Sequence, residues 1–236
     1  MLTFVKKFDM PTSISHNIQE LLKELHSFNS QLIVVTKTRG IPDLLLTYEA
    51  GIKDFGENRV QEMVEKHDVL PKDIKWHQIG HLQTNKVKYI VPFVHLIHSV
   101  DSFKLLKEIN KEASKNNRII SCLLQIYIAQ EDSKFGLDES ELMEILNSEE
   151  LQTLKNIQIV GLMGMASFTE DENQIRAEFR NLNSLFNHLK SNKIGISHGN
   201  VVWNELSMGM SGDYLIAAEE GSTMVRVGSA IFGPRK

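Results

Sequence analysis

QLIVVTKTRG, residues 31–40, places four apolar residues, Leu32 to Val35, ahead of a lysine, Lys37. An unbroken run of branched aliphatic residues suits a strand covered on both faces, as parallel strands are. Such a strand has no wet face along its middle, so an ammonium group belongs only where it ends. The ordinary reading of Lys37 is a side chain that covers apolar surface with its stem and keeps its head in water. The functional reading places it at the carboxyl end of a barrel strand, where barrel active sites are built.

Working outward, strand-like and helix-like segments alternate. SHNIQELLKELHSFN (15–29) puts Ile18, Leu21, Leu22 and Leu25 at helical spacing before the first strand. IPDLLLTYEAG is a helix with Pro42 in its first turn and Gly51 past its end. The expected order continues as strand IKDFGEN, helix NRVQEMVEKHD, strand IKWHQIG (74–80), and helix TNKVKYIVP, halted near Pro92. Next come strand VHLIHSV (94–100), a helix from Asp101 as N-cap, strand RIISCLLQIYI (118–128) and helix DESELMEILNSEE (138–150). Strand IQIVGLMGM (157–165), the long helix ENQIRAEFRNLNSLFNHLKSN, strand VVWNELSMGM (201–210), helix DYLIAAEEG and strand TMVRVGS (223–229) complete it, with AIFG as a closing turn. Alternation of this kind implies parallel strands with helical crossovers. Eight such units predict a (β/α)8 TIM barrel with an extra N-terminal helix, one domain over 1–236. An open doubly wound sheet would carry a glycine-rich turn after its first strand, and TKTRG is not one.

Composition narrows the function. The 236 residues carry a formal charge of −4 and are 42% hydrophobic, without a basic stripe that would displace counterions from nucleic acid. The single cysteine, Cys122, permits no internal disulfide. MLTFVKKFDMPTS lacks the apolar core of a signal peptide, and no apolar run approaches membrane-spanning length. These features predict a soluble, cytoplasmic globular protein, and a monomer is the separate expectation.

The last strand bears on Lys37. In STMVRVGSAIFG, valines 225 and 227 facing the helices would turn Met224, Arg226 and Gly228 inward. A guanidinium is charged at any working pH and needs an anionic or hydrogen-bonding partner, which a carboxylate at the mouth could supply. Gly228 and Ser229 open the closing turn, where backbone N–H groups suit a phosphate, and barrel phosphate sites often follow strands seven and eight. ELSMGMSGD adds Ser207, with Gly209 and Gly212, as a second cradle candidate. In DFGEN, Gly56 reads as a turn and Asn58 offers an amide at the next helix start, or simply a helix cap. Closure sets strand eight beside strand one, so these groups share one mouth. An amine, a phosphate cradle and an inward arginine describe a site for a phosphorylated aldehyde. Pyridoxal 5'-phosphate (PLP) is the cofactor that uses a lysine Schiff base with an Asp or Arg at its pyridine nitrogen.

The stretches VVTKT, FGENRVQE, WHQIGHLQTNK, IHSVDS, GLMGMA, LSMGMSGDY and GSTMVRVGSAIFG, in this order and spacing, resemble the pyridoxal phosphate homeostasis protein family across nearly the whole chain. The resemblance implies a fold-type III barrel like the N-terminal domain of alanine racemases. It implies that Lys37 carries the Schiff base, that Ser207, Gly228 and Ser229 hold the phosphate, that Arg226 faces the pyridine nitrogen and that Asn58 lines the pocket. Intracellular PLP (vitamin B6) homeostasis would be the role, with PLP-requiring apo-enzymes as recipients. Arginine cannot take the ring proton, so a substrate carbanion would be poorly stabilised. The chain ends at Lys236, leaving no room for the racemases' additional β domain and its tyrosine base, and Met165 replaces the histidine of the similar racemase segment.

The leading expectation is therefore a non-catalytic PLP carrier with no metal. A PLP-dependent amino-acid racemase is the alternative, and a phosphate-binding isomerase or aldolase without PLP is a third reading. Methionines 163, 165, 208 and 210 make a soft wall or, for at least two of them, core filler. His77 and His81 have metal-like spacing only on a helix, and Gly80 argues for a strand and turn instead. Tyr214 and His198 are possible pocket residues, and Cys122 reads as packing.

Overall fold

The computed structural model describes residues 13–129 and 136–233. All but the last residue of the stretch read for a leader lies outside the described residues. The described strands are β1 (Gln31–Val35), β2 (Asp54–Glu57), β3 (Lys75–Gln78), β4 (Leu96–Val100), β5 (Ile120–Tyr127), β6 (Ile157–Met165), β7 (Val201–Ser207) and β8 (Met224–Val227). Each pairs in parallel with the next, and β8 pairs with β1, setting Gln31 opposite Met224 and Ile33 opposite Arg226. The result is the closed (β/α)8 barrel that the alternation predicts.

Helices α1 (Ile14–Leu25), α2 (Ile41–Glu49), α3 (Val60–Val69), α4 (Val87–Ile90), α5 (Phe103–Lys115), α6 (Glu139–Asn147), α7 (Glu172–Ser191), α8 (Tyr214–Glu219) and α9 (Ser229–Phe232) surround it. Local chemistry starts them. Asp138 and Glu141 form a reciprocal capping box at α6, and the Asp171 carboxylate accepts the Asn173 and Gln174 N–H groups at α7. At α5 the cap is Ser102, whose hydroxyl accepts the Leu105 N–H at 3.3 Å, and not Asp101. Asp101 instead meets His81 at 3.0 Å.

The alternation of side chains builds two cores. Leu32 and Val34 of β1, with Val225 and Val227 of β8, face the helices in the large outer core. Ile33, Leu96, Leu123, Met163 and Met224 fill the barrel interior. The same parity carries on past β1, so Val35 and Lys37 follow Ile33 toward the inside at the mouth. Gly56 is part of β2 rather than a turn: a Cβ there would meet Ile33 and Ile79 at 3.2 and 3.1 Å, so its bareness makes room for interior side chains. β7 stops at Ser207, three residues short of its expected end, which changes what the segment after it can reach. Among the described residues no helix is long and apolar enough to cross a membrane.

Candidate functional site

A cavity of about 440 Å³ opens at the carboxyl ends of the strands, lined by Lys37, Asn58, Arg226, Gly228 and Ser229 among others. Five of the six residues singled out in the sequence therefore share one pocket. Lys37 stands two residues beyond β1, half-buried. Its loop is pinned from below. The Lys66 ammonium, buried on α3, donates to the Thr36 carbonyl at 2.7 Å, to Glu57 at 2.7 Å and to Glu62 at 2.6 Å. The Thr36 hydroxyl donates to Glu57, and the Thr38 N–H donates to Glu62 at 2.6 Å. Burial pushes the Glu57 carboxyl above the usual carboxylate range, with Lys66 pulling the other way. Thr38 takes φ 63°, a left-handed conformation rare for a β-branched residue.

Arg226 reaches the cavity from β8 and is only 3% exposed. Its Nη1 donates to Ser207 Oγ at 2.6 Å and its Nη2 to the Gly164 carbonyl at 3.0 Å. Burial pushes this guanidinium down to about 10, and the nearby Asp213 carboxylate opposes the shift. At that value the group is still a cation at neutral pH.

Ser207 is the sixth residue, and the structure does not bring it to the cavity. It is fully buried under the floor, between Arg226 and His98, whose Nδ1 lies 2.9 Å from its hydroxyl. Because β7 ends there, the serine that reaches the rim is Ser211. The Gly228 and Ala230 N–H groups both point to the Ser211 hydroxyl oxygen, at 3.0 and 3.4 Å. An oxygen acceptor thus already sits before the turn where the sequence suggested an anion. Arg39, also a lining residue, donates to the Gly233 carbonyl at 2.6 Å and ties the Lys37 loop to the end of α9.

The remaining candidates separate. Met165 and Met210 line the cavity, whereas Met163 and Met208 are core. His77 is buried and hydrogen-bonded to His98 and Asp54, while His81 pairs with Asp101. No group of side chains able to hold a metal ion occurs among the described residues. Tyr214 donates to Glu24, and His198 meets the Leu146 carbonyl. Cys122 is fully buried and its thiol is pushed up by burial, the behaviour of packing.

Residues 11–236 match the family model of the alanine racemase N-terminal domain. The chain is 42% identical over 190 residues to the pyridoxal phosphate homeostasis protein of Aquifex aeolicus, covering 80% of each. It is 37% identical to the human pyridoxal phosphate homeostasis protein, covering 90% of this chain and 79% of that one. The chain belongs to the pyridoxal phosphate homeostasis protein family.

Family membership agrees with solved structures. PipY of Synechococcus elongatus with PLP bound superposes with a TM-score of 0.82 at 33% identity, covering 94% of this chain and all of that one. Alanine racemase from Bartonella henselae shares the fold, with a TM-score of 0.67 at 15% identity, and this chain spans 58% of its length. Within this family member, the lining residues that sequence reasoning passed over are chiefly Arg39 and Ser211. Both carried a signal. Arg39 shares the parity of Lys37, and Ser211 lies in the same glycine-flanked stretch that drew attention to Ser207.

Proposed function

We propose that this chain binds PLP in the cavity, through Lys37, and takes part in intracellular PLP homeostasis as a carrier rather than a catalyst. The observation that carries this reading is the convergence of Lys37, Arg226 and the N–H groups around Ser211 on one pocket. When bound, the cofactor would supply an aldehyde reactive toward a primary amine, and Lys37 would be the amine that holds it. Gly228 and Ser229 would hold the phosphate, with the Ser211 hydroxyl, which accepts the Gly228 and Ala230 N–H groups, donating its own proton to it. Ser207 acts below them, on Arg226. Asn58 would line the ring's side of the pocket.

Arg226 would face the pyridine nitrogen. Two of its five N–H donors are committed to Ser207 and Gly164, so the side chain is held in place with donors remaining for the cavity. A donor that accepts no proton leaves a ring nitrogen unprotonated, which disfavours carbanion chemistry. Among the described lining residues the titratable side chains are Lys37, Arg39, Asp213 and Arg226. Asp213 accepts the Met210 N–H at 2.5 Å and is thereby engaged in its own loop. That composition favours holding over turnover, and PLP-requiring apo-enzymes are the proposed recipients. We place the action in the cytoplasm, by one monomeric domain.

Borohydride reduction of the protein incubated with PLP, followed by peptide mass mapping, should put a phosphopyridoxyl group on Lys37. Lys37→Ala should remove both that adduct and the visible absorbance of the imine. Modification confined to other lysines would sink the assignment, and D-enantiomers appearing from a panel of L-amino acids would sink the carrier reading.

A further inference from the structure

Arg226 is joined to the opposite end of the barrel by four polar side chains, of which Ser207, His98 and His77 are fully buried. The links are Arg226 Nη1 to Ser207 Oγ at 2.6 Å, Ser207 Oγ to His98 Nδ1 at 2.9 Å, His98 Nε2 to His77 Nδ1 at 2.9 Å, and His77 Nε2 to Asp54 Oδ1 at 3.1 Å. They come from β8, β7, β4, β3 and β2 in turn, and Asp54 is the first residue of its strand, at the amino-terminal end of the barrel.

We propose that Ser207, His98, His77 and Asp54 form a one-way hydrogen-bonded chain of positioning residues that locks Arg226, with both imidazoles neutral and protonated on Nε2. Both ends favour the same direction. An ionised carboxylate only accepts, so His77 donates from Nε2. A neutral His77 then accepts at Nδ1, so His98 donates from Nε2 and accepts at Nδ1. Ser207 must donate its hydroxyl proton to that nitrogen, which leaves its lone pairs for Arg226. From the other end, a guanidinium only donates, so Ser207 accepts from it, and His98 Nδ1 at 2.9 Å is the acceptor within reach of the Ser207 proton. A hydrogen-bonded network that is satisfied in one direction only is rigid in that direction.

The charge states fit this direction. Burial alone would raise the Asp54 carboxyl, but its hydrogen bond to His77, with Lys75 nearby, brings Asp54 below its usual range. His98 is held well below the usual imidazole range by burial, with the Arg226 charge adding to the effect. The His95 ring lies 5.3 Å from that of His77 and is likewise lowered, chiefly by burial.

One consequence is specific to a directional chain. Loss of the Asp54 acceptor leaves the His77 Nε2 proton without a partner. The proton is better placed on Nδ1, which forces His98 to accept at Nε2 and to carry its own proton on Nδ1. Ser207 must then accept from both His98 and Arg226, which strands its own buried hydroxyl proton. A change at the amino-terminal end would thus be read at the floor of the cavity. Only the statement of what Arg226 faces rests on the proposed cofactor; the chain itself is a property of the protein alone.

The test uses the protein labelled with 15N in its histidines and arginines, without PLP, so its outcome is separate from that of the borohydride experiment. Two-bond 1H–15N correlation spectra near neutral pH should show His77 and His98 each protonated on Nε2 and bare on Nδ1. Asp54→Leu should move the His98 proton to Nδ1 and speed solvent exchange of the Arg226 guanidinium protons. A doubly protonated His77 or an Nδ1–H His98 in the unaltered protein would overturn the proposal, as would a His98 tautomer indifferent to Asp54→Leu. Should that variant fail to fold, the tautomers of the unaltered protein decide alone.

Discussion

Two cations of the cavity, Lys37 and Arg226, stand on opposite kinds of support. Beneath Lys37 lies a buried ion cluster, Lys66 with Glu57 and Glu62, that grips the backbone at Thr36 and Thr38, one residue to either side. Beneath Arg226 lies a neutral hydroxyl and a backbone carbonyl that grip the guanidinium itself. The difference matches the work proposed for each. An amine that forms and releases a covalent bond has its location fixed through the main chain. A cation that never changes charge is held by its own donors. The two supports should also fail differently, because a buried charge left without its partner costs more than a neutral acceptor left without a donor.

Lys66→Met should therefore be the most damaging of the changes considered, at about 3–5 kcal/mol of folding stability in urea denaturation at neutral pH. Glu57 is fully buried and already has one oxygen, Oε2, without a hydrogen-bond partner. The loss should depend on pH in a definite direction. The folded-state carboxyl of Glu57 lies above its unfolded value, so the folded chain keeps that proton to higher pH than the unfolded chain. Its penalty is absent below the unfolded carboxylate value, about 4.3, and grows as pH rises through the folded value. Removing Lys66 removes the pull that lowers the folded value. The stability gap between variant and parent should then widen toward alkaline pH and narrow on acidification. A gap that widens on acidification would show that the cluster does not carry the charges assigned to it.

Arg226→Met should cost less, about 1–3 kcal/mol, since what it strands is Ser207 and the Gly164 carbonyl. A loss equal to that of Lys66→Met would erase the distinction between the two supports. It would mean that Asp213, whose charge opposes the burial shift at Arg226, is the real partner.

The asymmetry was only half legible in the sequence. The barrel could be read because most strands are short apolar runs between amphipathic helices, β2 (DFGE) and β3 (KWHQ) being the polar exceptions, and β6 was bounded to the residue. Lys37 and Arg226 could be read because a charge at the end of, or within, a buried strand has to be used. Ser207 misled because a strand end cannot be fixed by composition: SMGM continues the apolar pattern while Gly209, at φ 93°, has already left the sheet. Three residues of error exchanged a floor residue for a rim residue, Ser207 for Ser211. Both supports were invisible for another reason. Lys66 with Glu62 looks like an ordinary i, i+4 surface pair on a helix, and only packing shows it buried. His77 and His98 lie in different strands 21 residues apart, and only the pairing of β3 with β4 makes them neighbours.

The smallest change sharpens the comparison most. Thr38 is held at φ 63° immediately after Lys37, by the Glu62 carboxylate accepting its N–H. A non-glycine residue in such a conformation costs on the order of 1 kcal/mol or more. Thr38→Gly relieves that strain but adds about 0.4–1 kcal/mol of unfolded-state entropy to overcome. The two nearly cancel, so the melting temperature should move little, with a slight rise the favoured sign. PLP capture should respond differently. If the ion cluster serves to fix where the lysine stands, a glycine hinge beside it loosens that placement without removing any side-chain contact. Stopped-flow absorbance should then show slower imine formation at unchanged stability. An unaltered rate would mean that the position of Lys37 is set by the barrel strand alone, and that the cluster beneath it stabilises the fold and nothing more.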